Sequence, residues 1–156
     1  MPQQTSDLLK LFGMYSVYKK TEYTPAEVKH VVVTGHICME SINNLCKEIF
    51  HKDHGDQSTN TVIVQNHDPK ADIVMFMQGY EKLMTYLAGD PLSCEAMIRR
   101  AKAHKAQSCI LLTNKNSSNS SEEDYRNILI ALAVKKFVYD EKKDGPELSD
   151  NIPLCM

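Results

Sequence analysis

The sequence has no excess of charge of either sign, no long apolar run and no secretory signal. It carries 18 Lys and Arg against 20 Asp and Glu, so it has neither the basic surface of a nucleic-acid-binding protein nor an acidic disordered tail. No apolar run approaches the roughly 20 residues that cross a bilayer, and residues 1–11 lack the basic-then-apolar order of a signal peptide. We therefore expect a cytoplasmic chain that binds no nucleic acid and makes no membrane contact by itself.

Cysteines are few and unpaired in pattern. There are five, an odd number, and none forms a C-x-x-C pair. Small apolar residues would suit most of these positions, so we expect reduced interior thiols of a cytosolic protein. They are Cys38, Cys46, Cys94, Cys109 and Cys155.

From residue 29 onward, β-branched runs alternate with segments of helical periodicity. Strands are predicted at residues 28–35, 61–64, 83–87 and 108–113, and helices at residues 38–50, 71–82, 93–101 and 120–137. Asp68 and Pro69 suit the start of the second helix, and Ser120 with Glu123, or Ser121 with Asp124, suits a capping box for the fourth. The final residues, IPLCM, have the pattern of another strand beginning.

This alternation predicts an α/β fold with a Rossmann-like, doubly wound, mostly parallel sheet of about five strands and helices on both faces. We expect residues 29–156 to form this domain and residues 1–28 to be a linker and N-terminal segment. Because the sequence stops as a strand begins, we also expect a piece of a longer protein, truncated at its carboxyl end.

Ligands of such sheets bind at the carboxyl ends of the strands, here between the turn at residues 35–37 and the turn at residues 114–115. A dinucleotide site would need G-x-G-x-x-G at the first turn, but only Gly35 is present. Glu40 would repel a pyrophosphate, and neither Gln65 nor Asn66 supplies an acidic partner for a ribose. Nucleotide binding is therefore disfavoured.

No motif for catalysis is present, so the sequence does not predict an enzyme. It has no G-x-S-x-G, H-E-x-x-H or Walker loop. One cluster stands out at the carboxyl end of the first helix, where carboxylates that suit Ca²⁺ or Mg²⁺ occur with imidazoles that suit softer metals. A solvated loop is the plainer interpretation. The cluster consists of Glu48, His51, Asp53, His54 and Asp56.

One stretch resembles a known family. Residues 29–53, KHVVVTGHICMESINNLCKEIFHKD, resemble the start of the first RCK (regulator of K⁺ conductance) domain of BK-type, large-conductance calcium-activated potassium channels. The similarity continues more weakly through Asp68-Pro69, the strand ending at Gly89, CILLTNK at residues 109–115, and the later EED and NI. Residues 8–20 then resemble the linker that follows the last pore helix.

The resemblance implies the cytoplasmic domain of an integral membrane channel, assembled with the rest of its polypeptide as a homo-oligomeric gating ring below a tetrameric pore. It implies a partial calcium site at Asp53, with Glu48 at a neighbouring acidic position and His51 in proton sensing. It implies no cofactor in this fragment, because the further calcium ligands of the full-length channel would lie beyond Met156. The family's acidic magnesium positions align with Thr61 and Thr85, so that site is expected to be absent.

Two alternatives remain at this stage. One is a regulatory NAD- or ATP-binding subunit of a potassium transport system, and the other is a Rossmann-type NAD-dependent oxidoreductase. Both would normally keep the glycine-rich loop that this sequence lacks.

Overall fold

The computed structural model describes residues 16–25, 29–51, 59–80, 83–143 and 154–155. The helices are α1 (Val17–Lys20), α2 (Met39–Ile49), α3 (Ala71–Gln78) and α4 (Ser120–Lys143), with a π-helix at Glu95–Arg100 and a 3₁₀ turn at Ala103–Lys105. The strands are β1 (His30–Gly35), β2 (Asn60–Gln65), β3 (Met84–Ala88), β4 (Ser108–Leu112) and β5 (Leu154–Cys155).

The strands form one sheet in the order β3-β2-β1-β4-β5, and every neighbouring pair is parallel. The chain moves outward from β1 through β2 to β3, then crosses back to β4 on the other side of β1. The change of direction places the topological switch point between β1 and β4. The predicted Rossmann-like parallel sheet is confirmed.

Both faces of the sheet are covered, because alternate residues of the central strands point to opposite sides. Val32 and Val62 join the π-helix and α4 in one apolar core, whereas Val33 and Ile63 join α2 and α3 in the other. All four of these side chains are 0% exposed. This two-sided burial explains why β1 and β2 appear in the sequence as continuous β-branched runs.

The start of α3 differs from the prediction. Its N-cap is Lys70, which makes no side-chain cap, and the Asp68 carboxylate instead accepts a 2.6 Å hydrogen bond from the Ser16 hydroxyl. Asp68 lies two residues before this N-cap, and its carboxylate contacts the N-terminal segment. The helix ends at Gln78, and residues 81–82 of its predicted last turn lie outside the described residues.

The start and end of α4 also differ from the prediction. Asn119 provides the cap: its Oδ1 accepts from the Glu122 N–H at 3.3 Å and its Nδ2 donates to the Glu122 carboxylate at 3.0 Å. The cap therefore lies one residue before Ser120 and two before Ser121, the two predicted alternatives. The helix continues past Phe137 to Lys143, and Val138 in this added stretch is still buried in the core.

Candidate functional site

A cleft of about 690 Å³ opens at the carboxyl edge of the sheet, at the switch point between β1 and β4. The residues that follow these two strands form its walls, together with the first turns of α2. The sequence predicts a ligand site at this position. Its lining includes His36, Glu40, Asn44, Asn114 and Lys115.

Gly35 serves strand packing rather than phosphate binding. Its φ is +98°, and a Cβ atom on it would lie 2.3 Å from the carbonyl oxygen of Leu112. The same carbonyl accepts a 2.7 Å hydrogen bond from the His36 N–H. The missing side chain therefore lets β1 and β4 approach each other at the floor of the cleft.

The amino end of α2, where a pyrophosphate would bind in a dinucleotide fold, is capped by the chain itself. The Ser41 hydroxyl accepts a 3.1 Å hydrogen bond from the Cys38 N–H. Glu40 adds a carboxylate to the first turn. The positive end of the helix dipole thus already has a negative side chain, which opposes the binding of an anion.

At the end of β2, the position of an acidic ribose partner is occupied by the neutral amide of Gln65. Its Nε2 donates to the carbonyl of Gly35 at 3.4 Å, and its Oε1 accepts from the Tyr86 hydroxyl at 3.2 Å. The carbonyl oxygen of His67 lies 3.0 Å from the same hydroxyl, so the single phenol proton is shared between these two acceptors. Burial, with a smaller contribution from Asp68, raises the pKa of Tyr86 to about 12, so the phenol remains a donor in this bridge. Gln65 joins three strand ends and leaves no carboxylate for a ribose hydroxyl.

Two of the predicted cation residues, Glu48 and His51, lie at the other edge of the sheet. Glu48 is exposed in the last turn of α2, and the His51 N–H donates to its carbonyl at 3.3 Å. Because α2 leads from the end of β1 back to the start of β2, these two residues are far from the cleft. Asp53 lies outside the described residues, as do His54 and Asp56. In the ranges that are described, no three His, Cys, Asp or Glu side chains are grouped closely enough to hold a metal ion.

Thr61 and Thr85, at the positions that align with the family's magnesium ligands, do not face each other. Thr61 pairs with Met84, and Val62 pairs with Thr85. The alternation of side chains therefore places Thr61 and Thr85 on opposite faces of the sheet. The register and the two neutral hydroxyls both disfavour a shared magnesium site here.

The N-terminal segment at residues 16–25, part of the predicted linker and N-terminal segment of residues 1–28, contacts the sheet. Tyr23 is only 6% exposed, and its ring centroid lies 4.5 Å from that of His30. Its hydroxyl accepts a 3.1 Å hydrogen bond from Asn60, and the Tyr18 ring meets Tyr86 edge-on at 5.6 Å. The aromatic residues within a polar stretch were the signal for this packing.

The side of α4 that faces away from the sheet carries an apolar stripe. Its residues recur at helical spacing and are between 38% and 67% exposed, whereas the opposite side of the helix supplies the core. Exposed apolar residues gathered on one side of a helix are typical of interaction sites, although the exposed Lys136 separates Leu132 from Tyr139 on this side. We call it the outer α4 stripe: Tyr125, Ile128, Leu129, Leu132 and Tyr139.

The model of the calcium-activated potassium channel slowpoke-like RCK domain matches residues 26–156. The chain belongs to this RCK domain family. The resemblance seen in the sequence is thereby confirmed, and it extends beyond the quoted motif to five-sixths of the chain.

One curated relative of this RCK domain is the calcium-activated potassium channel slowpoke of Drosophila melanogaster. It is 26% identical over 134 residues, which are 86% of this chain and 11% of the relative. Among solved structures, the human SLO3 gating ring matches with a TM-score of 0.53 and 23% identity, over 70% of this chain and 17% of that one. The RCK domain thus spans about a tenth of the length of the slowpoke relative. Within the parts of the chain that the structure describes, no helix combines the length and hydropathy of a membrane span.

Proposed function

We propose that this chain is a cytosolic regulatory lobe of a calcium-activated potassium channel, in which ligand binding to a gating ring is coupled to opening of the pore. The observation that carries the proposal is the match of residues 26–156 to the slowpoke-like RCK domain. The work of such a lobe is conformational, since a ligand with different affinity for two arrangements shifts the balance between them.

The geometry of the cleft supports a regulatory role over a nucleotide-dependent one. Gly35 holds two strands together, Ser41 and Glu40 occupy the amino end of α2, and Gln65 bridges strand ends. Each position that would bind a dinucleotide is therefore already occupied by contacts within the fold. The lobe acts without a resident cofactor and without catalysis.

For the ligand, the proposal assigns Ca²⁺ to the end of α2. Carboxylate oxygens are the donors that Ca²⁺ prefers, and Asp53 with Glu48 supplies them in the part that resembles the family. Two carboxylates are fewer than the six to eight oxygens Ca²⁺ takes, so the isolated chain binds it weakly. His51, which follows the end of α2, is proposed for proton sensing on the same resemblance.

For assembly, the proposal assigns the outer α4 stripe to a second copy of the lobe. Five apolar side chains on the outer side of one helix are left exposed by the part of the chain that the structure describes, and the SLO3 neighbour is a gating ring. Pairing of two such helices would bury the stripe. Copies joined in this way, with the rest of the channel polypeptide, would form a ring under a tetrameric pore.

A chimeric channel tests the proposal. Residues 29–156 would replace the matching lobe of the slowpoke channel, and K⁺ currents would be recorded in inside-out patches as Ca²⁺ is varied. We expect Ca²⁺-dependent currents that Asp53→Ala weakens and that the control Asp140→Ala, at an exposed position of α4 outside the predicted cluster, leaves nearly unchanged. A chimera that reaches the membrane and conducts without any response to Ca²⁺ would contradict the proposal.

Nucleotide binding provides the opposing test. A ligand present at 100 times its Kd stabilises a protein by about 2.7 kcal/mol, which raises the Tm of a domain of this size by several degrees. We expect NAD, NADH and ATP at millimolar concentration to leave the Tm unchanged. A rise with any of them would favour the transport subunit or the oxidoreductase instead.

A further inference from the structure

One side chain fastens the N-terminal segment, residues 16–25, to the carboxyl edge of the sheet. The guanidinium of Arg100 donates from Nε to the carbonyl of Thr21 at 3.0 Å and from Nη2 to the carbonyl of Tyr18 at 2.6 Å. Its Nη1 donates to the carbonyl of Ala88, at the end of β3, at 2.9 Å. A single cation thus joins α1, the extended chain after it and a strand of the sheet.

The backbone of Arg100 completes the connection in the other direction. Its carbonyl accepts a 2.9 Å hydrogen bond from the Tyr23 N–H. The segment is therefore held through both the side chain and the main chain of one residue. The three charge-assisted hydrogen bonds of the planar guanidinium fix both the distance and the orientation of the segment relative to Arg100. The ammonium group of a lysine cannot reproduce this geometry.

The local backbone is shaped to bring this guanidinium into place. Arg100 ends the π-helix, whose wide turn is seen in the 2.9 Å hydrogen bond from the Ala101 N–H to the carbonyl of Ala96. A Cβ atom on Gly89 would lie 2.9 Å from the Ala96 Cβ and 3.1 Å from Nη1 of Arg100. Glycine after β3 therefore leaves the space that the π-helix and the guanidinium occupy.

We propose that Arg100 is a positioning residue that locks the N-terminal segment to the end of β3, so that movement of the lobe is passed to the polypeptide before residue 16. The second half of this statement rests on the proposed function. Helix α1 has only four residues, and a helix that short is not stable by itself in water. The position of α1 on the lobe therefore depends on its contacts with the rest of the fold. Arg100 provides contacts that join α1, the extended chain after it and β3.

Hydrogen exchange on the 156-residue chain tests the lock independently of any channel. The variants are Arg100→Ala and Arg100→Lys, with the exposed neighbour Arg99→Ala as the matched control. Hydrogen bonds from a charged donor are about twice as strong as neutral ones, so we expect exchange at the Tyr23 amide to rise at least about tenfold in both Arg100 variants. The amides of Val32 and Val62 in the central strands should stay as protected as in the wild type, and Arg99→Ala should change neither set.

Two results would overturn the lock. In one, Tyr23 exchanges at the wild-type rate in Arg100→Lys and Arg100→Ala. In the other, the central strands lose protection together with the segment in both variants, which would make Arg100 a general support of the core.

Recordings from the full-length polypeptide that carries this lobe test the transmission, with Ca²⁺ as the probe. Residues that carry coupling between sites change it by about two- to thirtyfold, and we expect Arg100→Ala to reduce the Ca²⁺-driven shift of the opening equilibrium within that range while Arg99→Ala does not. Transmission through Arg100 would be refuted if Arg100→Ala raised exchange at the Tyr23 amide but left the Ca²⁺-driven shift of the opening equilibrium unchanged. Absence of Ca²⁺-dependent current in the wild type would instead refute the proposed function, and the exchange result would still decide the lock.

Discussion

Replacing Gly35 by alanine should destabilise the protein severely, although the change adds a single methyl group. Its φ of +98° is a conformation that L-residues rarely adopt, and the added Cβ would meet the Leu112 carbonyl oxygen at 2.3 Å. Backbone strain of this kind costs about 1–3 kcal/mol. To relieve the contact, β1 and β4 must separate, which also loses the His36 hydrogen bond, worth about 0.5–1.5 kcal/mol. We expect a total loss of about 3 kcal/mol, a large part of the stability of a typical domain.

Gly79→Ala is the matched control. Gly79 ends α3 with a φ of −70°, and a Cβ there would lie 3.4 Å from its nearest neighbour, the Phe76 carbonyl oxygen. The same substitution should be neutral or stabilising by about 0.4–1 kcal/mol, because alanine reduces the freedom of the unfolded chain. Urea unfolding followed by circular dichroism measures both free energies of unfolding. Equal urea midpoints for the two variants would refute the assignment of Gly35 to strand packing.

Three further predictions concern pH, thiol reactivity and assembly. Burial lowers the pKa of His30 below its usual 6.5, so the unfolded chain binds the proton more readily and the free energy of unfolding should fall as pH drops below that value. In His30→Gln the urea concentration at the unfolding midpoint should depend less on pH. A maleimide should label the exposed Cys94 in the native protein and reach Cys46 only on unfolding, because burial raises the pKa of the Cys46 thiol to about 11. Leu132→Glu should weaken self-association in sedimentation, whereas Arg126→Gln, which makes the same charge change on α4 outside the stripe, should not; equal profiles would contradict assembly through this helix.

The sheet was predictable because its signal is local. A strand buried on both faces needs apolar side chains at every position, and β1 and β2 show this as runs of valine and isoleucine. The connection rules then gave a parallel sheet and located the cleft at the switch point. The shift of the α4 cap from Ser120 to Asn119 shows the limit of the same method, since several neighbouring polar residues can cap a helix and only the path of the chain selects one.

The fastening of the N-terminal segment was not predictable, because its signal is not local. Arg100 and Tyr18 are 82 residues apart in the chain, and neither belongs to a motif. The π-helix that directs Arg100 was not predictable either, because helical periodicity is detected from apolar residues three and four positions apart. The roles of Asp53, Glu48 and His51 stay predictions that rest on the resemblance.

The positions of these features constrain how the lobe could couple a cation to a pore. Glu48 and His51 lie at the amino edge of the sheet, and Arg100 holds the N-terminal segment at the carboxyl end of β3. Strands of five and six residues separate the two edges by roughly 20 Å. The core between them is closely packed and does not deform continuously, so a cation bound at one edge can displace the segment only if the whole lobe shifts or rotates as a unit. Hydrogen exchange of the central strands should accordingly be the same with and without Ca²⁺ in an assembled ring, and a Ca²⁺-dependent loss of their protection would show that the lobe transmits by local unfolding instead.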